Sequence, residues 1–368
     1  MFVFVCAGCD AELTAPLSQV ALPVHAHQSY GNGLQLPVLM ESGTFAVEPE
    51  RWGPPWRRWE DIGPREAEAR GIYAPVHALP DGAPGAIVIA PGDTRGAVLI
   101  PEKRGVACCG LAGSDGPNMV CEACGLPVAI RIDDCSLWQA VWLAPDSVRR
   151  LRVDADAVPL SWDDLMAEGT GVPPFEPITH WGSLYGASHR WAWSPQWEAA
   201  AGQALAHLLA ASEGRPVAVP DGLPAKVFQP TLNALLPVGP PARRAGFAGP
   251  GLSVPDADIL LVPSHPQTGT VWTPTAPAGP AARPYVAPLP FGVWLRLVFP
   301  ETPLPVPASN VAPRAILRDD PPPPSVDDAF RIDSAVFKRT LVRLPPARSP
   351  WLREILANLT QHRYAGLF

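Results

Sequence analysis

Four cysteines in this chain have the spacing needed to grip a metal ion. They fall in two Cys-x-x-Cys pairs, Val5-Cys6-Ala7-Gly8-Cys9-Asp10-Ala11-Glu12-Leu13 and Val120-Cys121-Glu122-Ala123-Cys124-Gly125-Leu126-Pro127-Val128. Overlaid, the two segments share one pattern: valine, cysteine, two residues, cysteine, a turn former, two residues and an aliphatic. A two-residue spacer lets a tight turn aim both sulfurs at a single ion while backbone N–H groups face the sulfurs. Asp10 and Gly125 stand where such a turn calls for a left-handed residue, which Gly adopts freely and Asp at modest cost. Two turns supply four thiolates, the number a tetrahedral zinc ion takes, with Zn–S near about 2.3 Å. A site closed by four thiolates keeps no open position, so its role is structural and not catalytic.

The double knuckle resembles the zinc-ribbon superfamily. The resemblance spans about 25 residues of the 368 and implies a structural site built from Cys6, Cys9, Cys121 and Cys124. The pattern departs from compact ribbons in one respect, because 112 positions separate Cys9 from Cys121. Residues 20 to 105 then form an insertion whose ends the metal ties together. Closure entropy grows only as the logarithm of loop length, so a long insertion is tolerable. A structural zinc contributes roughly 10 to 16 kcal/mol in finger peptides, and even a fraction of that matters to an ordinary domain. A rival ligand arrangement uses two ions. Cys109, Cys121, Cys124 and Cys135 would make one local site beside Cys108, and Cys6 and Cys9 would join His25 and His27 in a second. The first arrangement predicts one zinc per chain, the second two.

Other chemistry-bearing residues are less organised. The stretch His180-Trp-Gly-Ser-Leu-Tyr-Gly-Ala-Ser-His189, together with Ser264-His265 after a strand-like run, could line an enzyme pocket. No nucleophile elbow, phosphate-binding glycine loop, HExxH or dinucleotide fingerprint accompanies it. Cys135 lies near no histidine in the sequence and reads as a small buried hydrophobe. Trp52, Trp56 and Trp59, interleaved with Arg51, Arg57 and Arg58, could stack on bases, but such residues more often cap a β core with Arg over the rings. A net charge of −7 argues against a protein whose main task is to hold phosphates.

The elements that must position these groups follow from pattern and composition. Prolines number 49, which excludes a helical bundle as the whole fold. Charged residues are 17% and apolar residues 47%, enough for a sizeable core. The 25 arginines against three lysines, with abundant Ala, Pro and Gly, read as a coding bias and carry no functional meaning. Met1 to Val5, Ala86 to Ile89, Ala97 to Ile100, Val128 to Ile132 and Trp138 to Leu143 read as strands, the second and third joined as a hairpin across Pro91 to Gly96. Pro64 to Arg70 reads as a short helix.

Proline density rises after residue 160, which sets a boundary near 155. The expected architecture is α+β: a β-rich domain at 1–155 containing the split zinc ribbon, and a Pro-rich α+β domain at 156–368. In the second domain Ser161 opens a short helix. Ser194 to Ser212 is the clearest helix, with Trp197, Ala201, Leu205 and Leu208 on one face. Asp258 to Val262 is a strand, 263 to 290 an irregular connection, and Arg318 to Asp328 a polyproline-type linker. Helices over Asp327 to Leu344 and Ser349 to Arg363 close the chain. From Arg331 onward it carries seven basic and two acidic residues. They read first as a solvated helix face, with a docking surface for an acidic partner as the alternative.

No run reaches the roughly 18 apolar residues of a membrane span, and the apolar opening is too short for a signal core. Paired Cys-x-x-Cys motifs without a secretion signal favour metal over disulfides, so the expected compartment is the cytoplasm. The expected function is that of a zinc-binding adaptor or accessory protein that meets a protein partner, with nucleic acid and membrane not expected. The alternative is a hydrolase or tailoring enzyme with its pocket near His180, His189 and His265.

Overall fold

The structure is a computed structural model that describes residues 1–30, 33–103, 110–155, 158–183, 186–274, 283–300 and 331–360. Its first half runs β1 (Phe2–Cys6), β2 (Ser18–Gln19), β3 (Leu34–Gln35), β4 (Thr44–Val47), β5 (Trp56–Arg58), α1 (Trp59–Ile62), α2 (Pro64–Ala69), β6 (Ala78–Pro80), β7 (Ile87–Ile89), β8 (Ala97–Leu99), β9 (Met119–Cys121), β10 (Pro127–Ile132), β11 (Ala140–Leu143) and β12 (Val148–Arg152). The second half runs α3 (Trp162–Glu168), β13 (Phe175–Ser183), β14 (Gly186–Trp193), α4 (Pro195–Ser212), β15 (Val217–Ala218), α5 (Leu223–Leu235), β16 (Arg243–Phe247), β17 (Ile259–Ser264), β18 (Tyr285–Pro290), α6 (Phe291–Val298), α7 (Ser334–Leu341) and α8 (Pro350–Thr360). Helices and strands in mixed sheets make the fold α+β, as expected.

A seven-stranded sheet in the order β2-β4-β7-β11-β10-β9-β8 forms the body of the first half. Its side chains alternate as a pleated sheet requires. Ile87, Ile89, Val141 and Leu143 join Phe4, Leu13, Leu17 and Phe45 on one face, where Cys6 and Cys121 are also buried. Val88, Ala140 and Trp142 join Leu36 and Trp138 on the other. Strand β1, buried along its whole length, pairs antiparallel with β12 from Phe2↔Arg152 to Cys6↔Val148.

The expected hairpin is corrected here. Strands β7 and β8 share the sheet but are not neighbours, since β11, β10 and β9 lie between them. The intervening segment is not a tight turn because another part of the chain holds it. Thr14 bridges Thr94, Ala15 N–H donates to the Asp93 carbonyl, and the Asp93 carboxylate accepts from Ser42 Oγ and Gly43 N–H. Those bonds tie the connection to the start of the chain and carry β8 away to the far edge.

The second half holds a four-stranded parallel sheet, β15-β16-β17-β18, wrapped by α4, α5 and α6. Helix α4 starts after Ser194, whose carbonyl accepts from the N–H groups of Trp197 and Glu198, although its side chain makes no cap. Trp197, Ala201, Leu205 and Leu208 are all buried, and so is most of the rest of the helix, because sheet and helices cover it on several sides. Gly202 lets α7 approach, since a Cβ there would meet the Asp333 carbonyl at 2.6 Å. Helix α3 has a full capping box between Ser161 and Asp164.

Strand β18 was expected to be irregular. Its prolines fall on alternate residues, and the N–H of Tyr285, on the other set, donates to Asp258 of the neighbouring chain segment. An edge strand tolerates proline when the missing donors point outward. Helix α7 begins after Asp333, whose side chain accepts from Val336 N–H. The polyproline stretch Arg318 to Asp328 lies outside the described residues.

Several segments of the first half reach across residue 155. Ile62, Ala67, Ile72, Ala74 and Leu79 join the core built around α4, and β3 pairs with β13 through Gln35↔Thr179 and Leu34↔His180.

Candidate metal centre

Cys6 ends β1 and Cys121 ends β9, and each strand delivers a knuckle to the same corner of the sheet. The two turns repeat each other bond for bond. Cys6 N–H donates to the Ala11 carbonyl and Asp10 N–H to the Cys6 carbonyl; Cys121 N–H donates to Leu126 and Gly125 N–H to Cys121. Asp10 (φ 63°) and Gly125 (φ 75°) both take the left-handed conformation anticipated for them. Asp10 also forms an ion pair with Arg149 of β12, which ties the first knuckle to the strand that pairs with β1. Gly8 N–H lies 3.4 Å from Cys6 Sγ.

The sulfurs converge across the knuckles. Cys6 Sγ lies 3.5 Å from Cys124 Sγ, Cys9 Sγ lies 3.6 Å from Cys121 Sγ, and all four fall within 4.8 Å of one another. A disulfide needs about 2.05 Å. Four sulfurs each about 2.3 Å from a central zinc would stand roughly 3.8 Å apart. The observed spacing suits a shared ion and not a bond. Cys6 and Cys121 are buried, whereas Cys9 and Cys124 reach solvent, so the site sits at the edge of the core with its outer half exposed.

Proton affinities in this cluster are split. At Cys121 burial opposes ionisation, but N–H groups of Cys124 and Ala123 and the neighbouring thiols outweigh it and bring the thiol down to about 7. At Cys9 a backbone bond near Ala11 favours the thiolate, but the other three thiols and burial push it up to about 12. Cys124 is also raised, despite a backbone N–H at Leu126. The surroundings thus favour a thiolate at Cys121 ahead of Cys9 and Cys124. A divalent cation would override that order, because coordination deprotonates a thiol outright. The four residues therefore fit a thiophilic divalent ion.

The rival ligand set is not assembled. His25 is buried against Trp138, with ring centroids 4.4 Å apart, and burial lowers it to about 3. His27 bonds through Nε2 to Glu48. Neither joins Cys6 and Cys9; among the described residues only Cys6, Cys9, Cys121 and Cys124 form a group able to hold a metal. Cys135 is buried, with the Ser136 hydroxyl 3.8 Å from its sulfur. Cys108 and Cys109 lie outside the described residues.

His265, expected to face a pocket, is occupied by its own neighbourhood. Its Nε2 donates to the Leu160 carbonyl at 2.9 Å, its Nδ1 accepts from Gln267 and Thr268 N–H, and Trp162 packs edge-on against the ring. His180 and His189 sit on adjacent rungs of the β13–β14 hairpin, but their side chains lie outside the described residues. Trp52 does cap the sheet, stacked on Trp142 at 4.2 Å. The arginines beside it turn elsewhere: Arg51 and Arg57 lie 3.8 Å from the Asp81 carboxylate.

The basic C-terminal helices find their acidic partner within the same chain. On α7, Arg339 Nη2 lies 3.0 Å from Glu50, and Arg343, just past it, bonds Glu50 through Nε at 2.7 Å. Arg348 lies 3.1 Å from Glu68 and over the Tyr73 ring. Glu48 and Glu50 were not anticipated as partners. The cue was a pair of acids, Glu48-Pro49-Glu50, directly after an apolar strand.

No family model matches this chain, and no curated protein or solved structure matches it either.

Proposed function

We propose that Cys6, Cys9, Cys121 and Cys124 hold one structural zinc, and that the protein is a cytoplasmic accessory protein that works by binding another protein. The observation that carries the first part is the convergence of four cysteine sulfurs from two matching turns. Four thiolates would complete the coordination of zinc and leave no position for a substrate. Zinc would be held as a clamp between β1 and β9, and no reaction step is assigned to it.

The partner surface best supported lies beside the clamp. Strand β8 is the last strand of the seven-stranded sheet, and its Ala97 pairs with Cys121. Val98 and Leu99 on that strand are each more than 40% exposed. An exposed apolar edge strand is a template for an added strand from another chain. The enzyme reading draws less support, because His265 is already bonded on both nitrogens. Among the described residues no helix is long and apolar enough to cross a membrane.

Metal analysis and X-ray absorption of the purified chain test the clamp. The expected outcome is one zinc per chain with four sulfurs near about 2.3 Å; two ions per chain would return the divided ligand set. A double change, Val98→Glu with Leu99→Glu, should keep the zinc and abolish crosslinking to the partner in cells. A partner still crosslinked to that variant sinks the β8 assignment.

A further inference from the structure

A cleft of about 490 Å³ opens on the opposite side of the sheet from the cysteines, between the tryptophan face of the first half and helix α7. Its size is that of a small-molecule site. Four tryptophans are among the residues that line it. Trp52 and Trp142 stack at 4.2 Å with their planes 16° apart, and His27 lies stacked against Trp142 in turn. Trp138 lines the floor, with its indole N–H already committed to Gln28 Oε1 at 3.2 Å. Trp56 stands at the rim and is 59% exposed. Aromatic faces arranged in this way accept flat, apolar bodies.

The charges on the other wall are unequal. Helix α7 and the turn that follows it present Lys338, Arg339 and Arg343 to the cleft. Arg339 is paired with Glu48 and Glu50, and Arg343 with Glu50. Lys338 is only partly exposed and has no ion pair among the described residues. The wall thus carries three cations against two carboxylates, which leaves one positive charge unanswered. His27 adds no further charge. Burial lowers it below its usual value, and the buried Glu48 carboxylate fixes the ring by accepting from Nε2. A partly desolvated ammonium gains from an anion that arrives with a ligand.

From the four tryptophans and the uncompensated Lys338, we propose that this cleft binds a small planar aromatic molecule bearing one anionic group. The flat body lies against Trp52, behind which Trp142 is buried, with Trp56 at the rim, and the anion meets Lys338 at the α7 wall. This site is independent of the zinc clamp and of the β8 surface. It adds a small-molecule ligand to the protein's reading.

Calorimetry on the zinc-loaded full chain tests the idea, with 2-naphthoate as probe and 2-naphthylmethylammonium as its cationic counterpart. The native chain is expected to bind the carboxylate and to bind the amine at least about tenfold more weakly, since the amine would meet Lys338 with like charge. Lys338→Met, which keeps the apolar stem, should weaken 2-naphthoate about fivefold, the scale of a partly exposed ion pair. Trp52→Ala should weaken it about tenfold or more through lost stacking. Trp56→Ala, at the exposed rim, gives a second aromatic variant that leaves the core alone and should weaken binding in the same direction. No heat from 2-naphthoate up to about 5 mM, a Kd scale of weak contacts, overturns the proposal. So does equal binding of acid and amine, or carboxylate binding that none of the three variants changes.

Discussion

The two halves of the molecule are held by different means. Around the cysteines the chain adds directed contacts to a buried apolar cluster: two knuckles with matching bonds, a five-rung pairing of β1 with β12, and four converging sulfurs. Around α4 it relies on bulk, with alanines and leucines from residue 200 to 211 packed under a parallel sheet and against α7. The first arrangement places one group of directed contacts, the four sulfurs, at the edge of its core. The second spreads its contacts over dozens of side chains. A single change at the sulfurs should therefore act in an all-or-none way, and one around α4 in proportion to the volume removed.

The largest effect expected from one substitution is at the clamp. Cys121→Ser should abolish stoichiometric zinc, and its melting temperature should match that of the native chain treated with chelator. A chelator-insensitive melting temperature in the native protein would erase the contrast between the halves. The next effect is graded. Leu205→Ala, at a fully buried position of α4, should cost about 2–5 kcal/mol in denaturant unfolding while the bound zinc stays at its native level. Loss of zinc in that variant would mean that the halves are not separately held.

The smallest effect is one of pH. Glu198 lies at the junction of the halves, where Tyr30 from the first donates to it. Burial raises its carboxyl to about 7, Tyr30 and Arg331 work against that, and Asp333 and Glu176 add to it. Asp333 and Glu176 are themselves raised by burial. A carboxyl whose folded pKa exceeds its unfolded value binds its proton more tightly when folded, so stability falls as pH rises from the unfolded value toward 7. Burial lowers His25, His27 and His207, which gives a slope of the opposite sign over the same range, so the effect is read by difference: in thermal melts from pH 5 to 7 the native chain should lose more stability with rising pH than Glu198→Gln does. An unchanged slope would place the titration elsewhere.

The first half was legible in the sequence to the extent that its rules are local. Cys-x-x-Cys with a left-handed residue after it is a complete instruction for a turn, and Asp10 and Gly125 carried it out. Buried strands such as β7 and β11 announced themselves as short apolar runs. Which strand pairs with which did not, because the bonds that hold Pro91 to Gly96 come from residues 13 to 15, 42 to 43 and 122, far away in sequence.

In the second half helices with ordinary start signals were readable, as at Ser161, which caps α3, and at Ser194-Pro195, where Pro195 opens α4. Proline hid the rest. Helix α5 carries Pro230 in its interior, and strand β18 carries prolines whose alternation mattered more than their number. The aromatic cleft was out of reach for a different reason. His27, Trp52, Trp138 and Lys338 come from four distant segments, and only the packing of α7 on the sheet brings them to one place.

The split between the two knuckles has a consequence for biosynthesis. During translation Cys6 and Cys9 leave the ribosome long before Cys121 and Cys124 exist, and at roughly 5 to 20 residues per second that interval is several seconds at least. Through that time two reactive thiols stand without their coordination partners, open to oxidants or to a stray copper ion. On the proposed zinc reading, a cell that makes this protein has to keep nascent thiols reduced and supply the ion late, when the second pair emerges.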